Sequence, residues 1–498
     1  MSALSAAPAA AEGGSARAAR LPAWWPLALL TLVAAALRFA TLDLQSFWYD
    51  EAFTPVHVLH PSLWATLRAV VHHENTPPLW YLLAWADTRV LGTGEVALRW
   101  PSALAGTLTV PVAWAIGREL TGRRATAIAT AALVAFNPLL VWYSQEARAY
   151  GLFVLAAALA VLCFLRALAA PTRGRMALFV LTGALALLSH YFAVFLLVPM
   201  VIWLLCERRS RRPALPAALA LALAGVALLP LISAQGGHGT QWIGRWALSS
   251  RLQAIPQYYL TGYSGAPLGH GVELLVALPI LAGVVYGLWR VLEPAEERGA
   301  LIALAVCAGG VLLPLVLALL GADYLAPRNL VGVAVPLSAL IAIVVASKRA
   351  GAVGVALLGT IALAFAAISL DVDLSPRLQR GDWRGVAHAL SRPAPAPARA
   401  LVTVELGSAP LEYYLAPLRV LAPGRTVTVS EIDETGYAPL RPSAGEPPAP
   451  GFRLIAHRDV EGLVVYRFVS SRPRTVSEAA LRRDTITLAH PEVLVPAR

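Results

Sequence analysis

What most constrains this chain is a succession of apolar runs, at 21–42, 96–116, 125–142, 151–169, 176–189, 192–206, 214–233, 272–291, 300–320, 331–346 and 352–370, separated mostly by short polar turns. About 20 apolar residues in a helix cross the hydrocarbon layer of a bilayer, and backbone can cross it only when its N–H and C=O groups are satisfied internally. The pattern therefore predicts a polytopic α-helical membrane protein with about eleven transmembrane helices. Composition agrees, with 58% hydrophobic residues, 14% charged residues and a mean hydropathy of +0.64. The first run follows Arg17 and Arg20 and is longer than the apolar core of a cleavable signal, so it reads as an uncleaved anchor behind a disordered cytoplasmic segment 1–20.

A net charge of +11 could point to nucleic acid. Much of it instead falls in short loops, at Arg118, Arg123 and Arg124, at Arg173 and Arg175, at Arg208, Arg209, Arg211 and Arg212, and at Lys348 and Arg349. That is the positive-inside distribution, and no nucleic-acid partner is expected. Cys163, Cys206 and Cys307 all lie within apolar runs, which argues against a disulfide framework or a zinc site. With the basic loops inside, two long loops fall outside, 43–95 and 234–270. The first holds two interfacial helices, 61–71 and 78–91. The second carries His238, Trp242 and Arg245, then an amphipathic helix at 248–260. Residues 21–370 form the membrane domain. From 371 the chain turns to mixed charge, with strands at 400–404 and 463–468 and short helices at 383–390 and 408–415, which predicts a small extracytoplasmic α/β domain over 371–498.

Four segments bring polar groups to the outer face: Asp50 and Glu51, Glu74, Glu146 with Arg148, and Arg328. Polar groups at membrane depth face one another or a cavity, so one shared site is the economical reading. Asp50, beside aromatic residues and a second carboxylate, suits a general base, against the alternative of a pair that only marks topology. Arg148 and Arg328 suit phosphate oxygens, against simple pairing with Glu146 and Asp323. His72, His73 and Glu74 are consecutive, so on one helix at most two could share a metal, and His190 or His238 would have to complete it. Trp48 is the aromatic residue to test as a sugar-stacking platform rather than a membrane-belt residue.

Taken in order, Trp48-Tyr49-Asp50-Glu51, Asn75-Thr76-Pro77-Pro78-Leu79-Trp80-Tyr81, Leu98-Arg99-Trp100-Pro101-Ser102-Ala103-Leu104, Asn137-Pro138-Leu139 and Tyr143-Ser144-Gln145-Glu146-Ala147-Arg148 resemble the protein O-mannosyltransferase-like family of C-type glycosyltransferases, with weaker echoes at His190-Tyr191 and Pro327-Arg328-Asn329. The resemblance implies a multi-pass enzyme of the cell inner membrane, working on the extracytoplasmic face with a polyprenyl-phosphate-linked sugar. It implies Asp50 as catalytic base with Glu51 beside it, and Arg148 and Arg328 on the donor phosphate. Trp48, Glu74, Asn75, Glu146, Tyr150, His190 and Tyr191 become the candidate substrate-binding residues. Glu74 also sits where the similar lipid A aminoarabinose transferases carry a metal-binding glutamate in a Glu-Lys-Pro context, so a divalent cation there is the cofactor to consider, although Asn75-Thr76-Pro77 lacks the lysine. The expected activity is inverting transfer of a hexosyl or pentosyl group to a glycan, lipid or protein hydroxyl. The alternative is a transporter or flippase of lipid-linked sugars, which calls for polar mid-span residues and broken helices.

Overall fold

The structure is a computed structural model that describes residues 24–236, 240–263, 270–392, 398–415, 417–483, 486 and 491–497. The expected segment 1–20 and His238 lie outside the described residues. Every predicted apolar run is helical, from Trp25–Phe39 to Gly351–Leu374. Among the described residues, 5 helices are long and apolar enough to cross a membrane, or 6 if one bent pair counts as a single span. The difference from about eleven has physical causes: Trp25–Phe39 and Ala193–Cys206 are apolar but have 15 and 14 residues. The longer Glu95–Thr121 helix is uncharged from Trp100 to Gly117, but Pro101, Ser102, Thr107, Thr109 and Pro111 dilute its hydropathy there.

Small residues let the bundle close. The Glu95–Thr121 helix packs on Arg124–Phe136 and Tyr150–Ala169, and a Cβ at Gly117 would stand 2.5 Å from Thr130 Oγ1. Such backbone proximity is how helices associate where lipid removes the hydrophobic drive. The run read as one span at 125–142 is instead broken into Arg124–Phe136 and Pro138–Ser144, bent by 57°. Pro138 has no N–H to continue the ladder and holds Asn137 away from helical geometry. The freed carbonyls are satisfied: Arg38 donates to Val134 O at 3.2 Å and Ala135 O at 2.9 Å, and the Asn137 side chain accepts from Leu140 N at 3.2 Å.

At the end of the bundle reached by this bend, Tyr49–Phe53 forms a short helix that runs into a single π turn, Thr54–Val58. Helices Leu63–His73 and Leu79–Leu91 follow, the second ending at Gly92 with φ +82°. Here also sits a six-stranded sheet of β1 (Arg399–Val404), β2 (Leu418–Val420), β3 (Thr426–Gly436), β4 (Arg453–Val460), β5 (Leu463–Ser477) and β6 (Pro491–Pro496). Its order is β2-β6-β1-β3-β5-β4, with β1 and β3 parallel and the other pairs antiparallel. The expected helices Trp383–Leu390 and Ser408–Leu415 are present at those bounds. They join sheet and bundle, since Trp48 of the first loop shares a buried cluster with Trp383, Val386, Leu401 and Leu494.

Candidate active site

Trp48, in extended conformation, starts the Tyr49–Phe53 helix, so the two adjacent carboxylates leave its first turn in different directions. Asp50 points outward to Arg328, whose Nη1 lies 2.8 Å from Oδ2, with side-chain exposures of 19% and 21%. Glu51 points inward and is fully buried. Arg99 clasps it with two parallel bonds, Nε to Oε1 at 2.7 Å and Nη2 to Oε2 at 2.7 Å, while Ala147 N donates to Oε1 at 2.8 Å. Burial alone would raise this carboxyl, but Arg99 and Arg380 outweigh it and hold it below the ordinary range. Both oxygens are engaged, so Glu51 is not the free neighbour of Asp50 that the sequence suggested. It anchors the helix that carries Asp50.

Arg148 makes a second forked pair, with Glu74, at 2.9 and 3.0 Å, and its Nη1 also reaches Asp50 O at 3.4 Å. The alternative pairings expected for the arginines are thus replaced: Glu74 rather than Glu146 meets Arg148, Asp50 rather than Asp323 meets Arg328, and Asp323 accepts from Arg251 at 2.6 Å. The reason is reach across segments, which adjacency in sequence does not report. Glu74 spends both oxygens on a guanidinium, and His72 and His73 are exposed, so this donor set does not fit a divalent cation at Glu74. Among the described residues no cluster of three His, Cys, Asp or Glu has metal-binding geometry.

Around Arg328 stand the phenols of Tyr150, Tyr143 and Tyr263, and its guanidinium lies 4.7 Å from the Trp242 ring. Tyr150 opens the Tyr150–Ala169 helix and contacts the His190 ring at 5.9 Å. His190 stacks on Phe153 at 4.8 Å and accepts from Phe192 N through Nδ1 at 3.2 Å, which leaves the proton on Nε2. Burial, followed by Arg328 and Arg148, pushes this imidazole down to about 3, so it is neutral at pH 7. Asn75 is half-buried beside Glu74. Tyr191 faces away from this group. Its hydroxyl donates to Gln235 Oε1 at 2.6 Å, and Gln235 in turn ties down Val70 O and Thr76 O.

Glu146 is buried behind Asp50. Its Oε2 accepts from Arg380 Nη2 at 3.2 Å, while Oε1 has no hydrogen-bond partner. Trp48 is 6% exposed, lying under Arg380 and edge-on to Tyr263 at 5.8 Å, so its faces are covered rather than open to a sugar. Three arginines that sequence reasoning did not single out prove central: Arg38, Arg99 and Arg380. For the first two a signal existed, a lone cation inside or at the edge of an apolar run, which must find partners. Arg380, beyond the last predicted span, gave none.

The arrangement offers a solvent-accessible carboxylate, two guanidiniums and an aromatic wall at one end of a helical bundle. Residues 75–233 match the family described as dolichyl-phosphate-mannose-protein mannosyltransferase, a stretch that contains Glu146, Arg148 and His190 but neither Asp50 nor Arg328. Among curated proteins none matches the chain in sequence. Among solved structures, ArnT from Cupriavidus metallidurans bound to undecaprenyl phosphate superposes with a TM-score of 0.54 at 14% identity, covering 90% of this chain and 98% of that one. The apo form of the same protein gives 0.55 at 14% identity, covering 89% and 97%. At this identity the likeness is one of fold, and the fold is that of the C-type glycosyltransferases.

Proposed function

We propose that this protein is an inverting glycosyltransferase of the extracytoplasmic face of the inner membrane, moving one sugar from a polyprenyl-phosphate donor to a hydroxyl of a glycan, lipid or protein acceptor. The observation that carries the reading is the Asp50–Arg328 pair, a base and a phosphate-binding cation 2.8 Å apart on the accessible rim of the site. When a phosphate arrives, Arg328 can exchange a monodentate carboxylate contact for phosphate oxygens, and Asp50 is released to accept from the acceptor hydroxyl. Asp50 then takes the hydroxyl proton as the acceptor oxygen attacks the anomeric carbon. The bond from that carbon to the phosphate oxygen breaks, and its electron pair stays on the phosphate, where Arg328 stabilises the charge. Phosphate leaves readily, so no general acid is needed. Neutral His190, with its proton on Nε2, is suited to donate to a substrate oxygen.

A transport reading draws on the broken helix at Asn137-Pro138. Arg38 and Asn137 satisfy that break within the bundle, which favours a fixed bend over a moving gate.

The test is sugar transfer in membranes that hold matched amounts of wild type or Asp50→Asn, with a panel of radiolabelled polyprenyl-phosphate sugars. Wild type is expected to transfer label from one donor, and Asp50→Asn to lose about 100-fold or more in rate while still binding that donor. Arg328→Gln is expected to lose a similar factor and to bind donor more weakly. Equal transfer by wild type and Asp50→Asn sinks the assignment. Label crossing the bilayer without transfer would support transport.

A further inference from the structure

We infer that the C-terminal sheet domain is a working part of the transfer centre, because the segment joining it to the last helix delivers Arg380 to Glu146 as that carboxylate's positioning residue. The inference rests on the reading of the site as a glycosyltransferase centre. It names a residue and a domain which that reading does not use.

The geometry is specific. Arg380 lies outside the bundle in sequence, after Gly351–Leu374 and before Trp383–Leu390. Its guanidinium nevertheless sits 4.1 Å from the Trp142 ring and 5.7 Å from the Trp48 ring, with Nη2 on Glu146. Both side chains are almost completely enclosed, at 3% and 1% exposure. A charge buried this deeply is retained only with a partner, and this segment is held firmly enough to supply one. Arg380 N donates to Gln45 Oε1 at 3.0 Å, Ser46 Oγ donates to Gly381 O at 3.3 Å, and Trp383 N donates to Ser46 Oγ at 2.9 Å. The carbonyls of Gln45 and Ser46 accept from Arg99, the residue that clasps Glu51. Arg380, the first loop and the Asp50 helix are thus one hydrogen-bonded unit.

Glu146 is the place where this unit meets chemistry. Its Oε1 is buried and unpartnered, so the carboxylate has capacity for a further donor. Arg380 is its ion-pair partner. Asp50 and Glu51 face it as like charges and Arg148 as a more distant cation, and the phenols of Tyr143, Tyr150 and Tyr263 lie close by. Burial pushes the Glu146 carboxyl up to about 7, against the pull of Arg380. Without Arg380 the balance tips further toward the protonated acid.

The experiment uses the full chain, purified in detergent, as wild type, Arg380→Gln, Arg380→Lys, Glu146→Gln and the double variant Arg380→Gln/Glu146→Gln. Melting temperature is followed from about pH 5 to about pH 9, and transfer is followed over the same range. A carboxyl whose pKa is raised on folding stabilises the fold at low pH, and that contribution fades as pH rises through the folded value. Neutral His190 gives the opposite slope below about pH 6.5, so the curves are read as differences from Glu146→Gln, and on that scale wild type should lose melting temperature up to about pH 7 and then level. On the same difference scale Arg380→Gln should go on falling above that point. In transfer, Arg380→Gln should move the acidic limb up by one pH unit or more, about a tenfold loss at pH 7, while Arg380→Lys keeps the limb in place. The double variant should match Glu146→Gln, and because it buries no lone charge it also serves if Arg380→Gln fails to fold. Superposable pH profiles for wild type and Arg380→Gln would overturn the inference. If wild type transfers from no donor, the glycosyltransferase reading fails, and the melting profiles alone decide the role of Arg380.

Discussion

Asp50 and Glu51 are one peptide bond apart and do opposite things. Asp50 keeps an exposed edge and a single ionic contact, so replacing it by Asn should cost about 1 kcal/mol of stability while removing activity. Glu51 is fully buried in a forked pair with Arg99, both at or below 1% exposure. Its removal strands a buried guanidinium, and losses of about 3–5 kcal/mol are typical when one partner of such a pair goes. Glu51→Ala should therefore lower the melting temperature and the yield of folded protein, in contrast to Asp50→Asn, and thermal melts of both variants in detergent would show it. If the two lose stability equally, the division of roles is wrong. The adjacent acids stood out in the sequence from their setting among aromatic residues at a membrane edge, and the structure pairs each with an arginine from a distant segment. Which of them faced solvent was not, because that depends on Arg99, 48 residues away and in the long helix.

Among the elements, the helix break at Asn137-Pro138 turns Tyr143-Ser144-Gln145-Glu146 across the end of the bundle. The apolar run 125–142 predicted a helix, and helix is what forms on both sides of the break. The bend escaped detection because hydropathy is blind to a proline inside an apolar run. Its stability depends on Arg38, which is fully buried, and on a close approach at Gly106, where an added Cβ would run into Ser144 Oγ. Gly106→Ala must push Ser144 aside and disturb its contact with Arg38 Nε, so a loss of about 1–3 kcal/mol is expected from overpacking. Arg38→Leu should cost at least as much, since it leaves the carbonyls of Val134 and Ala135 without donors in an apolar interior. A melting-temperature comparison against an exposed control such as Leu178→Ala checks both.

For the whole molecule, bundle and sheet domain depend on each other at the first loop. The short helices of the sheet domain followed from their sequence periodicity, but nothing in the tail announced that it would cover the residues before Asp50. Tyr414 accepts from Phe47 N at 2.8 Å and donates to Glu95, and Arg384 reaches the same glutamate. Trp48 is buried among tail residues, and segment 380–383 bonds Gln45 and Ser46. Removing residues 375–498 would therefore leave every membrane helix in place and strip the partners from 45–48. A chain ending at Leu374 should still insert, yet its amides at 45–53 should exchange with solvent far faster than in the full chain, because local opening there no longer breaks buried contacts. Hydrogen exchange read by mass spectrometry on both proteins makes the comparison. Fast exchange confined to this loop, together with lost transfer, places the tail's contribution in holding Asp50 where Arg328 can meet it. Unchanged protection would mean that Arg99 and Glu51 hold the loop unaided, so that any loss of transfer on truncation must arise at Arg380 and Glu146 instead.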